Sequence, residues 1–291
     1  MCDEHTQEDA NEYLKSNAAL TRRQFGALSV SAGLAFALPK VANAAEVTES
    51  EVTIKTPDGT ADCYFVHPKT GTAPAVLVWP DAFGLRTAFR QMGKRLAESG
   101  YSVLVVNPFY RTAKAPVIAE GASFADPATR AVLGPLMAAL NATTHVTDAK
   151  AFVAWLDTQP SVAKNRKMGT TGYCMGGPMV MRTAAALPGR IGAVGSFHGG
   201  GLVTDKPDSP HLLAPQIKAQ LLVAIAENDD MREPNSKDVL KKAFADAKLS
   251  AEIEVYKAQH GWCPPDSQVY DKELSEKAWS RLLATFNKAL A

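Results

Sequence analysis

The stretch Gly169-Thr-Thr-Gly-Tyr-Cys-Met-Gly-Gly177 decides the fold. A short β-prone run leads to one reactive side chain set between glycines. Pro178-Met-Val-Met-Arg-Thr-Ala-Ala-Ala186 then reads as the start of a helix. Strand, sharp turn and helix are the setting that a nucleophile elbow needs. Side chains two residues either side of the nucleophile would collide in such a turn, which accounts for Gly172 and Gly176. The turn exposes the Cys174 sulfur at the carboxyl edge of a sheet and aims N–H groups of the following helix at an oxyanion forming beside it. A tight glycine turn holding an inert, buried cysteine would look the same in isolation. The rest of the chain decides between them.

Upstream, Val52-Thr-Ile-Lys55 and Asp62-Cys-Tyr-Phe-Val66 read as an antiparallel pair joined by a turn at Pro57-Asp-Gly59. Ala75-Val-Leu-Val-Trp79 and Tyr101-Ser-Val-Leu-Val-Val106 are continuous apolar runs, as expected of strands buried on both faces. Between them, residues 87–99 place Phe89, Met92 and Leu96 at helical spacing and stop at Gly100. Strand, helix, strand with short connections is a parallel βαβ unit. Residues 111–130 show little periodicity and read as a surface excursion that caps a site. One long helix is expected next, closing with Ala151-Phe-Val-Ala-Trp-Leu156. Downstream come strands at 191–197, 219–225 and 251–256, a helix near 235–247, and a C-terminal helix with Trp279, Leu282, Leu283, Phe286 and Leu290 on one stripe. No repeat or linker interrupts 45–291, so the expectation is one α/β domain, a mostly parallel, doubly wound sheet flanked by helices.

The first 44 residues stand apart. Thr21-Arg-Arg-Gln-Phe25 precedes a weakly apolar run from Gly26 to Leu38, and Ala42-Asn43-Ala44 forms a small-x-small site. That combination predicts a twin-arginine export signal, with the mature chain beginning at residue 45 in the periplasm or outside the cell. The run is too short to span a bilayer, so no stable membrane insertion is expected. The net charge of +1 on 291 residues provides no electrostatic footprint for nucleic acid. Residues 45–291 retain Cys63, Cys174 and Cys263, enough for one disulfide and one free thiol. If Cys174 is the nucleophile, Cys63 with Cys263 is the pairing left.

In a sheet of this kind, functional groups gather where strands end at their carboxyl edge. Ala226-Glu-Asn-Asp-Asp-Met231 follows one buried strand, so Asp229 or Asp230 could orient a base. Gln259-His-Gly-Trp262 follows the last strand, and His260 could be that base. The order Cys174, Asp229, His260 is nucleophile, acid, histidine, the order of α/β-hydrolases. Cys174 as thiolate would attack a carbonyl to form a thioester, His260 would shuttle the proton, and Asp229 would fix its tautomer. The oxyanion hole is expected from the N–H of Met175 and that of Ala82 in the loop after the 75–79 strand. His198-Gly-Gly-Gly201 follows the nucleophile, whereas the lipase-type oxyanion motif precedes it. It reads as a flexible turn beside the site. Tyr110, Trp262 and Phe83 are candidates for either pocket lining or core. Metal-ligand spacings and phosphate or dinucleotide loops are absent from the sequence, so neither metal nor cofactor is expected.

The Trp79-Pro-Asp-Ala-Phe-Gly-Leu85 loop, Gly172-Tyr-Cys-Met-Gly-Gly177, the Asp229 segment and His260-Gly-Trp262 together resemble the dienelactone hydrolase (carboxymethylenebutenolidase) family. The resemblance covers residues 48–290. It implies an α/β-hydrolase fold, hydrolysis of a small ester or lactone, no cofactor, and a triad on Cys174, Asp229 and His260. Family members typically place a glutamate in the loop after the third strand to help deprotonate the cysteine. Here Asp81 stands there and is expected to take that part. The best-known members carry an arginine shortly after the catalytic histidine to grip a substrate carboxylate, where this chain has Cys263-Pro264-Pro265. A generic ester or lactone is therefore expected in preference to an anionic dienelactone. Two other readings compete: an exported thiol redox or sensor protein pairing Cys174 with Cys263, and a binding protein with a degenerate hydrolase pocket.

Overall fold

The computed structural model describes residues 4–16 and 38–291. Helix α1 spans Glu4–Ser16, ahead of the sheet. The Arg22-Arg23 pair and the apolar run up to residue 37 lie outside the described residues.

Strands β1 (Val47–Thr56) and β2 (Gly59–Pro68) form the antiparallel opening pair, and Thr56 faces Gly59 across the turn. Next come β3 (Ala75–Trp79), α2 (Thr87–Glu98) and β4 (Ser102–Val106), then α3 (Pro127–Ala138) and α4 (Ala142–Thr158). The elbow joins β5 (Met168–Tyr173) to α5 (Gly176–Ala186), and β6 (Ile191–Phe197) follows. The chain closes with β7 (Gln220–Ala226), α6 (Glu227–Arg232), α7 (Ser236–Asp246), β8 (Ala251–Tyr256) and α8 (Lys272–Ala289). The eight strands lie in the order β1-β2-β4-β3-β5-β6-β7-β8, parallel from β4 to β8. Strand order reverses at β3, whose Trp79 pairs with Gly172 of β5. The ends of these two strands therefore open a crevice at the switch point, where such sheets hold their ligands.

β3, β4 and β5 are buried throughout, as their unbroken apolar runs require. One face of the sheet packs against α4, α5 and α7 through Phe152, Leu156, Met179 and Phe244. The other packs against α2 and α8 through Phe89, Leu96, Leu282 and Phe286. Among the described residues no helix is long and apolar enough to cross a membrane.

One expectation needs correction, and two segments gain detail. The long helix before residue 156 is two helices, because Asn141 accepts from the N–H groups of Thr143 and Thr144 while Thr144 bonds back to its N–H. Such a capping box starts a helix instead of continuing one. The acidic segment after β7 forms the short helix α6. Residues 111–130 are anchored as well as superficial. Asn107 donates to Asp62 and to the Ala113 carbonyl, Asp62 accepts from the Ala115 N–H, and Arg111 grips Asp148.

Candidate active site

Cys174 follows β5 directly and holds a left-handed backbone, φ +52°. A non-glycine residue in that region carries roughly 1–2 kcal/mol of strain. It persists here because the turn is held on both sides. The Cys174 N–H donates to the Phe197 carbonyl at 3.0 Å, and the Gly177 N–H donates to the Cys174 carbonyl at 3.0 Å. A Cβ on Gly172 would overlap the Gly176 carbonyl, and one on Gly176 would overlap the Trp79 carbonyl. Both glycines are required by space, as the sequence predicts. The first turn of α5 has no side-chain cap. Neither the Met175 nor the Ala82 N–H donates to a backbone carbonyl among the described residues. Free donors, that of Met175 at a helix start and that of Ala82 in the loop after β3, suit an anion beside Cys174.

His260, itself buried, is held at two points. Its backbone N–H donates to Asn228 Oδ1 at 2.8 Å, and its Nδ1 lies 2.8 and 3.0 Å from the two oxygens of Asp229. The Cys174 side chain hydrogen-bonds the same imidazole. Burial works against a charge on His260, but the Asp229 carboxylate and the Cys174 sulfur outweigh it and push the imidazole up to about 10. Asp230 turns away and binds Lys237 Nζ at 2.7 Å, so Asp229 is the acid brought to the histidine. Asp9 of α1 accepts from Asn228 and Arg232, which puts α1 beside the element that carries Asp229.

Asp81 is buried, and its charge is felt at Cys174. Its oxygens are engaged elsewhere. Oδ1 accepts from the Phe83 N–H at 2.9 Å and from Arg86 Nη1 at 2.7 Å, while Oδ2 accepts from Arg86 Nη2 at 3.0 Å. Burial pushes its carboxyl above the ordinary value and Arg86 pulls it back. With only N–H donors as close partners it stands as a carboxylate. Arg86 then reaches on to Asp266.

His198 is not a loose turn. It is 1% exposed, has φ +39°, and stacks edge-on against His260 and Trp262 with centroids 5.0 and 5.1 Å away. Neither of its ring nitrogens has a partner. Burial and the neighbouring His260 charge push it well below the ordinary imidazole range, so it is neutral. Trp262 is core behind it, and Tyr110 is tied to Thr56 and Asp148. Phe83 does face the site region, in a cluster with Phe109, Phe124, Ala82 and Met175.

Cys63, Cys174 and Cys263 are all free thiols. The Cys63–Cys263 pairing does not form, because the two belong to core clusters on opposite faces of the sheet. Burial also pushes the Cys263 thiol well above its ordinary value, which suits core packing better than thiol exchange. Sequence reading missed Arg86, Asp266 and Asn228. An arginine closing the apolar loop Ala82–Leu85 was the available signal for the first, and nothing marked the other two.

The family model for the dienelactone hydrolase family matches residues 61–290. A Methylorubrum extorquens protein assigned as a carboxymethylenebutenolidase is 25% identical over 288 residues, 94% of this chain and 95% of its own. A Rhodococcus opacus carboxymethylenebutenolidase is 26% identical over 201 residues, 68% of this chain and 74% of its own. A Klebsiella pneumoniae crystal structure assigned as a dienelactone hydrolase shares the fold with a TM-score of 0.73 at 22% identity, over 84% of this chain and 99% of the other. With the elbow and the α/β-hydrolase sheet in place, the chain belongs to the dienelactone hydrolase family and is a hydrolase of esters or lactones.

Proposed function

We propose that the protein cleaves a small ester or lactone through a thioester on Cys174, with His260 as acid and base and Asp229 as its orienting partner. The observation that carries this reading is the chain of contacts from Cys174 through the His260 imidazole to Asp229, set on a left-handed elbow. The thiolate attacks the carbonyl carbon, and the oxygen takes the charge between the Met175 and Ala82 N–H groups. The His260 imidazolium gives its proton to the departing alkoxide, leaving the thioester. Water then loses a proton to His260 and attacks the acyl carbon, which expels the thiolate and releases the acid. Asp81, expected to activate the thiol, has both oxygens committed, so that task falls to His260 and Asp81 anchors the oxyanion loop. The test is a panel of small esters and lactones with wild type, Cys174→Ala and Cys174→Ser. Turnover and an acyl adduct lost in Cys174→Ala, with unchanged circular dichroism, are expected. Equal rates in wild type and Cys174→Ala would overturn the mechanism.

We also propose twin-arginine export to the periplasm or beyond, with removal of residues 1–44. Ala42, Asn43 and Ala44 are exposed and lie in an irregular segment before β1, as a peptidase requires. Replacing Arg22 and Arg23 by lysine should leave uncleaved protein inside the cell. Export unaffected by that change would refute it.

A further inference from the structure

We propose that Asp266 sets the charge selectivity of this site: with Asp81 it ties down Arg86, so that Cys174 accepts uncharged reactants and rejects those carrying a carboxylate. The inference rests on the hydrolase reading above and names the substrate class for it.

A buried arginine near a thiol nucleophile would ordinarily serve as the handle for an anionic substrate. Arg86 has no donor to offer. A guanidinium has five N–H groups, and five acceptor contacts take them. Nε donates to Asp266 Oδ2 at 2.6 Å, and Nη2 donates to Asp266 Oδ1 at 2.9 Å and to Asp81 Oδ2 at 3.0 Å. Nη1 donates to Asp81 Oδ1 at 2.7 Å and to the Gly84 carbonyl at 3.3 Å. The flat faces are covered too, by Phe83 and Phe89 with ring centres 5.3 and 5.0 Å from the guanidinium carbon.

Charge counts the same way. Two carboxylates hold one guanidinium, so the trio is net negative, and the charge of Asp81 reaches Cys174. Asp81 also neighbours Ala82, whose N–H faces the proposed oxyanion. The wall beyond is apolar, formed by Phe83, Phe109, Val117 and Phe124 around Ala82 and Met175. A substrate carboxylate entering here would lose water, meet the charge of Asp81 and find every N–H of Arg86 already taken. An uncharged alkyl or aryl ester meets none of these penalties. Asp81 is fixed by the oxyanion loop, which leaves Asp266, on the segment after His260, as the residue that tips the balance.

The test reads charge preference at the sulfur directly. Full-length protein is alkylated with iodoacetamide or with iodoacetate, modification of Cys174 is followed by mass spectrometry, and the rate ratio is divided by that of glutathione. In each reaction the sulfur–carbon bond forms and iodide leaves. Wild type should prefer the neutral reagent by about tenfold or more, as one unit charge a few ångströms away at an effective dielectric near ~20 allows. Asp266→Asn should narrow that preference about fivefold or more, Asp266→Glu should keep it, and Arg86→Gln should steepen it. A wild-type ratio equal to that of glutathione would overturn the proposal, as would equal ratios in wild type, Asp266→Asn and Arg86→Gln. Hydrolysis of phenyl butyrate against phenyl hemisuccinate should follow the same order. If neither ester nor any lactone is hydrolysed while the alkylation preference stands, the hydrolase reading fails and the charge preference survives it.

Discussion

The imidazole rings of His198 and His260 meet edge to face with centroids 5.0 Å apart, and Trp262 backs His198 from behind at 5.1 Å. The proposed catalytic histidine thus leans on a second, uncharged histidine. Because both His198 nitrogens are buried without partners, its contribution is shape. His198→Phe should keep kcat within a few-fold and leave stability unchanged or raised by about 1 kcal/mol, since an unsatisfied polar ring is replaced by an apolar one. His198→Ala should lose kcat and about 2–3 kcal/mol through the cavity it opens. Equal losses of kcat in both variants would show that the ring nitrogens matter.

The second prediction concerns pH. Asp229 and Cys174 lift the imidazole from an ordinary value of 6.5 to about 10. Acylation needs the imidazolium as acid, so kcat/KM should hold through neutral pH and fall only as pH approaches about 10. Asp229→Asn removes the nearest negative charge, so that alkaline limb should move down and kcat should drop by about 100-fold or more. The sign for stability follows from a raised value in the fold. The contribution is complete below 6.5 and is lost as pH rises toward about 10. Thermal melts between pH 6 and 10 should therefore show a decline in wild type that Asp229→Asn blunts. A limb that stays put in the variant would rule out the Asp229–His260 coupling.

The elbow makes a third. A Cβ at Gly172 would overlap the Gly176 carbonyl, and one at Gly176 would overlap the Trp79 carbonyl. Both obstacles are backbone and cannot rotate away. Gly172→Ala and Gly176→Ala should each cost about 3 kcal/mol, visible as a lower Tm. Gly176→Ala should also lower kcat in protein that remains folded, because it presses on the strand leading to Ala82. Gly189, with nothing within 4 Å of a built Cβ, is the control, and Gly189→Ala should melt like wild type.

What the sequence made legible follows from where the physics is local. Unbroken apolar runs at 75–79 and 101–106 became the buried strands β3 and β4, and the glycine spacing around Cys174 forced the elbow. Chain order alone paired His260 with an acid, but two adjacent aspartates look alike in sequence. Only the geometry of α6 sends Asp229 to His260 and Asp230 to Lys237. Arg86 and Asp266 are 180 positions apart, and no local pattern announces a contact of that kind. His198 hides for a related reason. A His-Gly-Gly-Gly run looks flexible until Ser196, Gly177 and Gly199 are seen packed against one another.

The last prediction tests how the capping segment is held. Asp148 on α4 is 1% exposed, accepts from the Tyr110 hydroxyl at 2.7 Å, and takes two bonds from Arg111 at 2.7 and 2.9 Å. Arg111 opens the 111–130 excursion and also binds Asp58. Asp148→Ala would leave this largely buried guanidinium with one half-exposed partner and the Tyr110 hydroxyl with Thr56 alone. Breaking such a pair from one side costs about 3–5 kcal/mol, whereas exchanging both partners for apolar residues of similar size is often neutral. Asp148→Ala should therefore lower Tm clearly, and Asp148→Leu combined with Arg111→Met should recover most of the loss. Activity separates holding the cap from holding the fold. The single variant should raise KM more than it lowers kcat, because the cluster of Phe109, Phe124 and Leu133 over Ala82 loosens while Cys174, His260 and Asp229 keep their places. A loss confined to kcat would contradict this account of the segment.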